Sequence, residues 1–147
     1  MLHGKPKLLI FFLRITLGWV FFYSGLIKIL DKDWSSKQFL LSAKSFSGFY
    51  EWFASAQNLP WVDFVNKWGQ MLIGAALILG VFVGLAAFFG AALMVLYYFP
   101  GLQFPYVANN LVLIDEHVIY ALALLLLARL RAGRIFGLNS FFGRALF

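Results

Sequence analysis

No cysteine occurs in the 147 residues. Disulfide staples, thiolate nucleophiles, iron–sulfur clusters and zinc–thiolate sites built by this chain alone are therefore excluded. Charge is almost as scarce: Asp, Glu, Lys and Arg make up 12% of the chain, against about 25% in ordinary globular proteins. That is too little to cover a water-soluble sphere. Histidine occurs twice, as His3 in a tail and as His117. A membrane b-type haem needs two axial ligands from facing helices, so no intrinsic haem is expected, and no other intrinsic cofactor. Acid is the rarer sign, with six Asp and Glu against 12 Lys and Arg. What remains is 63% hydrophobic and 20% aromatic, with a mean hydropathy of +0.85. The chain reads as an integral membrane protein of one domain, residues 1–147. Its net charge of +6 flanks apolar spans instead of forming a run. An anionic lipid surface, not nucleic acid, is the partner this pattern suggests.

The most informative stretch is Leu111 to Arg134. It opens on Asp115, Glu116 and His117, runs uncharged from Val118 to Ala128, and ends in Arg129, Arg131 and Arg134. On a helix Glu116, Tyr120, Ala123, Leu127 and Arg134 share a face, because steps of three and four return to one side. Leu8 to Leu30 supplies an earlier crossing of about 34 Å, enough for the hydrocarbon core. Its basic-then-apolar order is that of a signal peptide, but no small-residue cleavage site follows, so it is expected to be retained. Trp68 to Ile114 holds no charge and as one helix would be about 70 Å long, so it must fold back. The turn falls at Gly80–Gly84, and Pro100, Gly101 and Pro105 end the second arm.

The expected fold is thus all-α: a four-helix transmembrane bundle with helices near 8–30, 62–80, 85–99 and 115–134. Between the first two, residues 31–59 are polar but aromatic, and suit short amphipathic helices lying on the outer surface. Gly18, Gly25, Gly69, Gly80 and Gly90 are read as small residues that let helix backbones approach in lipid. Lys5, Lys7 and Arg14 at the start, and Arg129, Arg131, Arg134 and Arg144 at the end, have no acid beside them. The positive-inside rule then places both termini in the cytoplasm of a plasma or inner membrane, as an even number of crossings requires. Arg14, Arg129, Arg131 and Arg134 form a basic cluster for lipid phosphates or an acidic partner.

Three stretches resemble the DoxX/DoxD family of small membrane proteins. They are Arg14-Ile-Thr-Leu-Gly18 leading to Gly25-Leu-Ile-Lys28, Gly69-Gln-Met-Leu-Ile-Gly74 through Gly80, and Asp115-Glu-His-Val-Ile-Tyr120 followed by Ala132-Gly-Arg134 and Gly137-Leu138. The resemblance implies a four-helix membrane bundle. It also implies a link to membrane redox and oxidative-stress complexes, since the family is named after a subunit of a thiosulfate:quinone oxidoreductase. Many members carry an acid where Gln70 stands and a basic residue near Val83, so a possible proton carrier is missing here.

Chemistry, where present, is expected at the outer half. A quinone site needs an apolar slot with one or two polar groups to hold the ring oxygens and move protons. His117, Glu116 and Tyr120 near Lys28 can supply these, with Gly25 lining the groove. A plainer reading pairs Lys28 with Glu116 or Asp115 and uses Asp115 as a helix cap. A metal site from Asp115, Glu116 and His117 is not expected, because consecutive helical residues point about 100° apart. Without an electron carrier of its own the chain requires a redox partner, soluble or membrane-bound, for any quinone-linked role. The alternative is a non-catalytic scaffold or lipid-binding protein, alone or as a homo-oligomer.

Overall fold

The computed structural model describes residues 5–107 and 111–140; His3 and Arg144 lie outside them. The elements are α1 (Lys5–Leu30), α2 (Lys37–Leu41), α3 (Ser47–Ala54), α4 (Leu59–Leu79), α5 (Val83–Gly101) and α6 (Glu116–Arg129). Two 3-10 turns follow, Ala132–Arg134 and Leu138–Ser140. The chain is mostly helical. Between α5 and α6, β1 (Leu102–Gln103), β2 (Tyr106–Val107) and β3 (Leu111–Val112) form a small antiparallel sheet in that order, which the sequence reading did not foresee.

The four longer helices alternate in direction and pack as two close pairs, α1 on α4 and α5 on α6. Leu17, Phe21, Leu77, Leu124 and Leu127 are buried where the pairs meet. Outward, α1 exposes Leu9, Phe12, Trp19 and Tyr23, α5 exposes Phe88 and Phe89, and α6 exposes Ile119 and Leu122. Large apolar side chains on the outer face of each of these helices need lipid to cover them. Two helices, Pro6–Leu30 and Val83–Gly101, have the length and hydropathy to cross a membrane.

The α1–α4 pair is close because backbone meets backbone. A Cβ on Gly74 would land on the Phe22 amide and Cα, and one on Gly25 on the Met71 amide. On Gly18 it would sit 2.8 Å from the Ile78 side chain. The glycine reading needs correction here. Gly69 has only its own helical neighbour Val65 nearby, at 3.9 Å; five residues from Gly74, it points about 140° away. Gly74 performs that role instead. Gly80 is the α4 C-cap, at φ 70°, a left-handed conformation that glycine adopts without strain, and its missing Cβ leaves room for Arg14 of α1 and the Gly137 backbone. Gly90 does receive neighbours, Leu124 and Ile73.

Boundaries also differ. The fourth long helix was expected to reach residue 134, but α6 closes at Arg129. Arg131 turns left-handed at φ 50°, and Ala132 and Gly133 are buried. Gly133 lies against Val83 and the Gly80 carbonyl, so packing under α5 ends the helix. Arg134 therefore does not share a helical face with Glu116 and Tyr120. α4 starts earlier than expected, with Pro60 in its first turn, where a missing N–H leaves no bond unmade. α5 runs through Pro100 to Gly101. Proline there cannot donate to the Leu96 carbonyl four residues back. The Tyr50 hydroxyl does so instead, at 2.7 Å. Surface helix α3 thus repairs the bond that Pro100 removes, which helps hold it over the end of α5.

Candidate functional site

Lys28 lies in the last turn of α1, on the face that meets α4. Its ammonium donates to Gln70 Oε1 at 2.6 Å, Asn66 Oδ1 at 3.1 Å and the Tyr97 hydroxyl at 3.2 Å. An ammonium has three protons to donate, and each has an acceptor. Tyr97 in turn donates to Asn66 Oδ1 at 2.6 Å and accepts from Gln70 Nε2 at 3.2 Å. Ser24 donates to Gln70 Oε1 at 3.2 Å. The ring of Trp34 lies 5.0 Å from the ammonium, and a π face favours a cation at that range. α1, α4 and α5 are thereby joined by a polar network whose charge is met by dipoles.

The expected pairing of Lys28 with Asp115 or Glu116 is overturned. Among the described residues the side chain that meets Asp115 is His117, Nδ1 to Oδ2 at 2.6 Å. Asp115 is committed to the start of α6: Oδ1 accepts from the His117 and Val118 amides, and Oδ2 meets His117 Nδ1. Glu116 is exposed and points away from the network. The helix cap and the register of α1 against α4 together set this choice. Gly25 is likewise not part of a groove, because α4 fills the space beside it.

Next to the network lies a cavity of about 160 Å³, bounded by Val20, Phe21 and Ser24 of α1, Gln70 of α4, Met94 and Tyr97 of α5, and His117 and Tyr120 of α6. All four long helices contribute to its wall. The His117 ring stands edge-on to Tyr97, centroids 6.0 Å apart. With Nδ1 held by Asp115, Nε2 is the nitrogen left to exchange a proton. A second cavity, about 130 Å³, lies beyond Tyr97 and Asn66 under α2 and α3. It is walled by Phe39, Leu40, Tyr50, Phe53, Trp61 and Leu96, with Ser36 as a further polar group. Burial pushes the Tyr50 phenol above its ordinary pKa. The Ser36 amide and hydroxyl both donate to Asp63, at 2.9 and 2.5 Å, tying α2 to α4.

The structure thus brings His117 and Tyr120 together at the cavity, sets Asp115 behind His117, keeps Lys28 one hydrogen bond away from it, and leaves Glu116 outside. Ser24, Asn66, Gln70 and Tyr97 were missed as site residues. A signal existed: Asn66 and Gln70 are four apart, hence on one face of α4, the pair of amides that faces Lys28. The basic cluster is also sorted. Arg14 is buried completely, while Arg129, Arg131 and Arg134 are exposed.

A polar network enclosed by helices whose outer surfaces are apolar defines a helical membrane protein with a site among its helices. Residues 9–100 match the family model named DoxX; the match covers more than half of the chain, which belongs to the DoxX family. It includes Ser24, Lys28, Asn66, Gln70 and Tyr97, and stops before the Asp115–Tyr120 stretch. Searches of curated proteins and of solved structures found no match.

Proposed function

We propose that this DoxX-family chain is a four-crossing subunit of a quinone-linked membrane redox complex, of the thiosulfate:quinone type or serving redox defence, with the quinone ring held in the cavity beside His117. The observation that carries the reading is the composition of that wall. One side is apolar (Val20, Phe21, Met94), and the other offers His117, Tyr120, Ser24 and the network at Gln70 and Tyr97. A quinone supplies a couple that takes up two electrons and two protons. The size admits one ring, not a larger ligand, whose pockets run to about 300–1,000 Å³.

His117 Nε2 takes or returns a proton while Asp115 keeps the imidazole in one orientation. Tyr120 donates to a ring oxygen. Electrons come from a partner subunit, because a chain without cysteine and with His117 as the one histidine among the described residues offers no pair of carrier ligands there. α4 and α6 complete the crossings alongside α1 and α5, α6 with its flanking turns, and the termini face the cytoplasm of an inner or plasma membrane. Reporter fusions at both termini should give cytoplasmic signals; a periplasmic signal at either end overturns that topology.

His117→Ala is expected to lower quinone-linked turnover per folded complex by at least about a hundredfold, the lower range for loss of a proton-transfer group, with the helical fold retained in detergent. Bound quinone should appear in mass spectrometry of the wild-type protein and decline in the variant. A specific observation favours a second reading, a non-catalytic scaffold: every proton of Lys28 is satisfied within the chain, so the network needs no ligand to be stable. A variant that folds poorly but keeps full specific activity would support the scaffold.

A further inference from the structure

At the opposite end of the molecule a separate cavity of about 690 Å³ opens between the start of α1 and the tail that follows α6. It is lined by Lys7, Arg134, Ile135, Phe136 and Ser140. Two like charges are thus brought to one concave wall. Among the described residues no acid lies beside them. All six acids of the chain (Asp31, Asp33, Glu51, Asp63, Asp115 and Glu116) fall at the other end of the long helices or in the segments joining them there.

A third cation lies behind the wall. The Arg14 side chain is completely buried, fitted against Gly80 and Gly137. It donates Nη2 to the Phe136 carbonyl at 3.3 Å, and the face of Phe11 lies 5.5 Å from its guanidinium carbon. Its Nε and Nη1 have no hydrogen-bond partner among the described residues. A buried guanidinium without an anion nearby is costly, and a potential of that sign on a low-dielectric wall attracts an anion to the cavity in front of it.

We propose that this cavity binds the phosphate of a membrane phospholipid, with Lys7 and Arg134 holding the phosphate oxygens. Arginine matches phosphate geometry with paired N–H groups, and lysine serves as a point charge. Ile135 and Phe136 offer apolar surface to the glycerol end of the acyl chains. Leu8 and Leu9, exposed beside Lys7 on α1, face the lipid from which that molecule is drawn. Anchoring on a lipid, not on free phosphate, follows from this continuity of apolar and cationic surface. The rest of the basic cluster plays another part: Arg129 and Arg131 do not line the cavity and act only as diffuse charge.

Native mass spectrometry of the full chain in mild detergent with added phosphatidylglycerol tests this. Lys7→Gln/Arg134→Gln is expected to lose the one-lipid adduct roughly tenfold or more, as removal of two surface cations predicts. The charge-matched control Arg129→Gln/Arg131→Gln should retain it. Lys7→Gln alone, at an exposed first-turn position, keeps the test open where the double variant folds poorly. Equal losses in both double variants mean unlocalised attraction, and no loss in either means no site; each overturns the proposal. Displacement of the lipid by millimolar inorganic phosphate would assign the cavity to a free anion and overturn it too.

Discussion

Gly74→Ala should separate α1 from α4 and destabilise the protein strongly. The new Cβ would fall on the Phe22 amide and Cα and close to the Gly18 carbonyl. These are backbone atoms in the middle of a helix, so no rotamer change relieves the overlap. Overpacking a close contact costs about 1–3 kcal/mol, and a backbone clash belongs at the top of that range. At roughly 2–4 °C per kcal/mol for a chain of this size, the melting temperature in detergent should fall by about 6–12 °C. Gly84→Ala is the control, since nothing lies within 4 Å of its added Cβ. Equal melting of the two variants would show that α1 and α4 do not meet backbone to backbone.

The second large effect belongs to the polar network. Gln70→Leu removes the shortest of the three acceptors around the Lys28 ammonium and leaves a charged group short of one bond. Hydrogen bonds to charged groups contribute about 1.5–3 kcal/mol, and an unmet buried charge costs at least that much. A loss of about 2–3 kcal/mol is expected from the single change. Lys28→Met in the same chain should restore much of it, because removing both partners of a buried polar contact approaches neutrality. The measurement is a double-mutant cycle in detergent unfolding. Strictly additive single effects would mean that the ammonium does not depend on Gln70. Where the family resemblance expects an acid, this chain uses a neutral amide, and the contact is ion to dipole.

Much of the architecture was readable in residue order because lipid imposes it. Charge-free runs too long for one crossing must turn, and Gly80 marks the turn. Residues 31–59 leave the apolar pattern, and α2 and α3 lie there. Within that segment periodicity misled. Phe39, Ala43, Phe46 and Tyr50 stand at helical spacing in the sequence, yet Phe46 is left-handed at φ 56° and caps the start of α3. Tertiary anchors decide that break: the Ser45 hydroxyl donates to the Leu102 carbonyl at 2.6 Å, and the Lys44 amide to the Pro100 carbonyl at 3.1 Å.

The site was legible in its α6 part and in Lys28. Asp115, His117 and Tyr120 are close in sequence, so one local pattern reveals them. Ser24, Lys28, Asn66, Gln70 and Tyr97 come from three helices; the spacing of Asn66 and Gln70 puts two amides on one face of α4, but no single segment says that the three helices bring all five together. Composition alone determined that this chain belongs in a membrane, and the distribution of sign along it separated an acidic end from a basic one. Both are sums over residues, indifferent to contacts. Which carboxylate or amide meets Lys28 depended on the rotation of α1 against α4. Gly18, Gly25 and Gly74 set that rotation by allowing the two backbones to touch, and the partner of a buried charge is chosen only there.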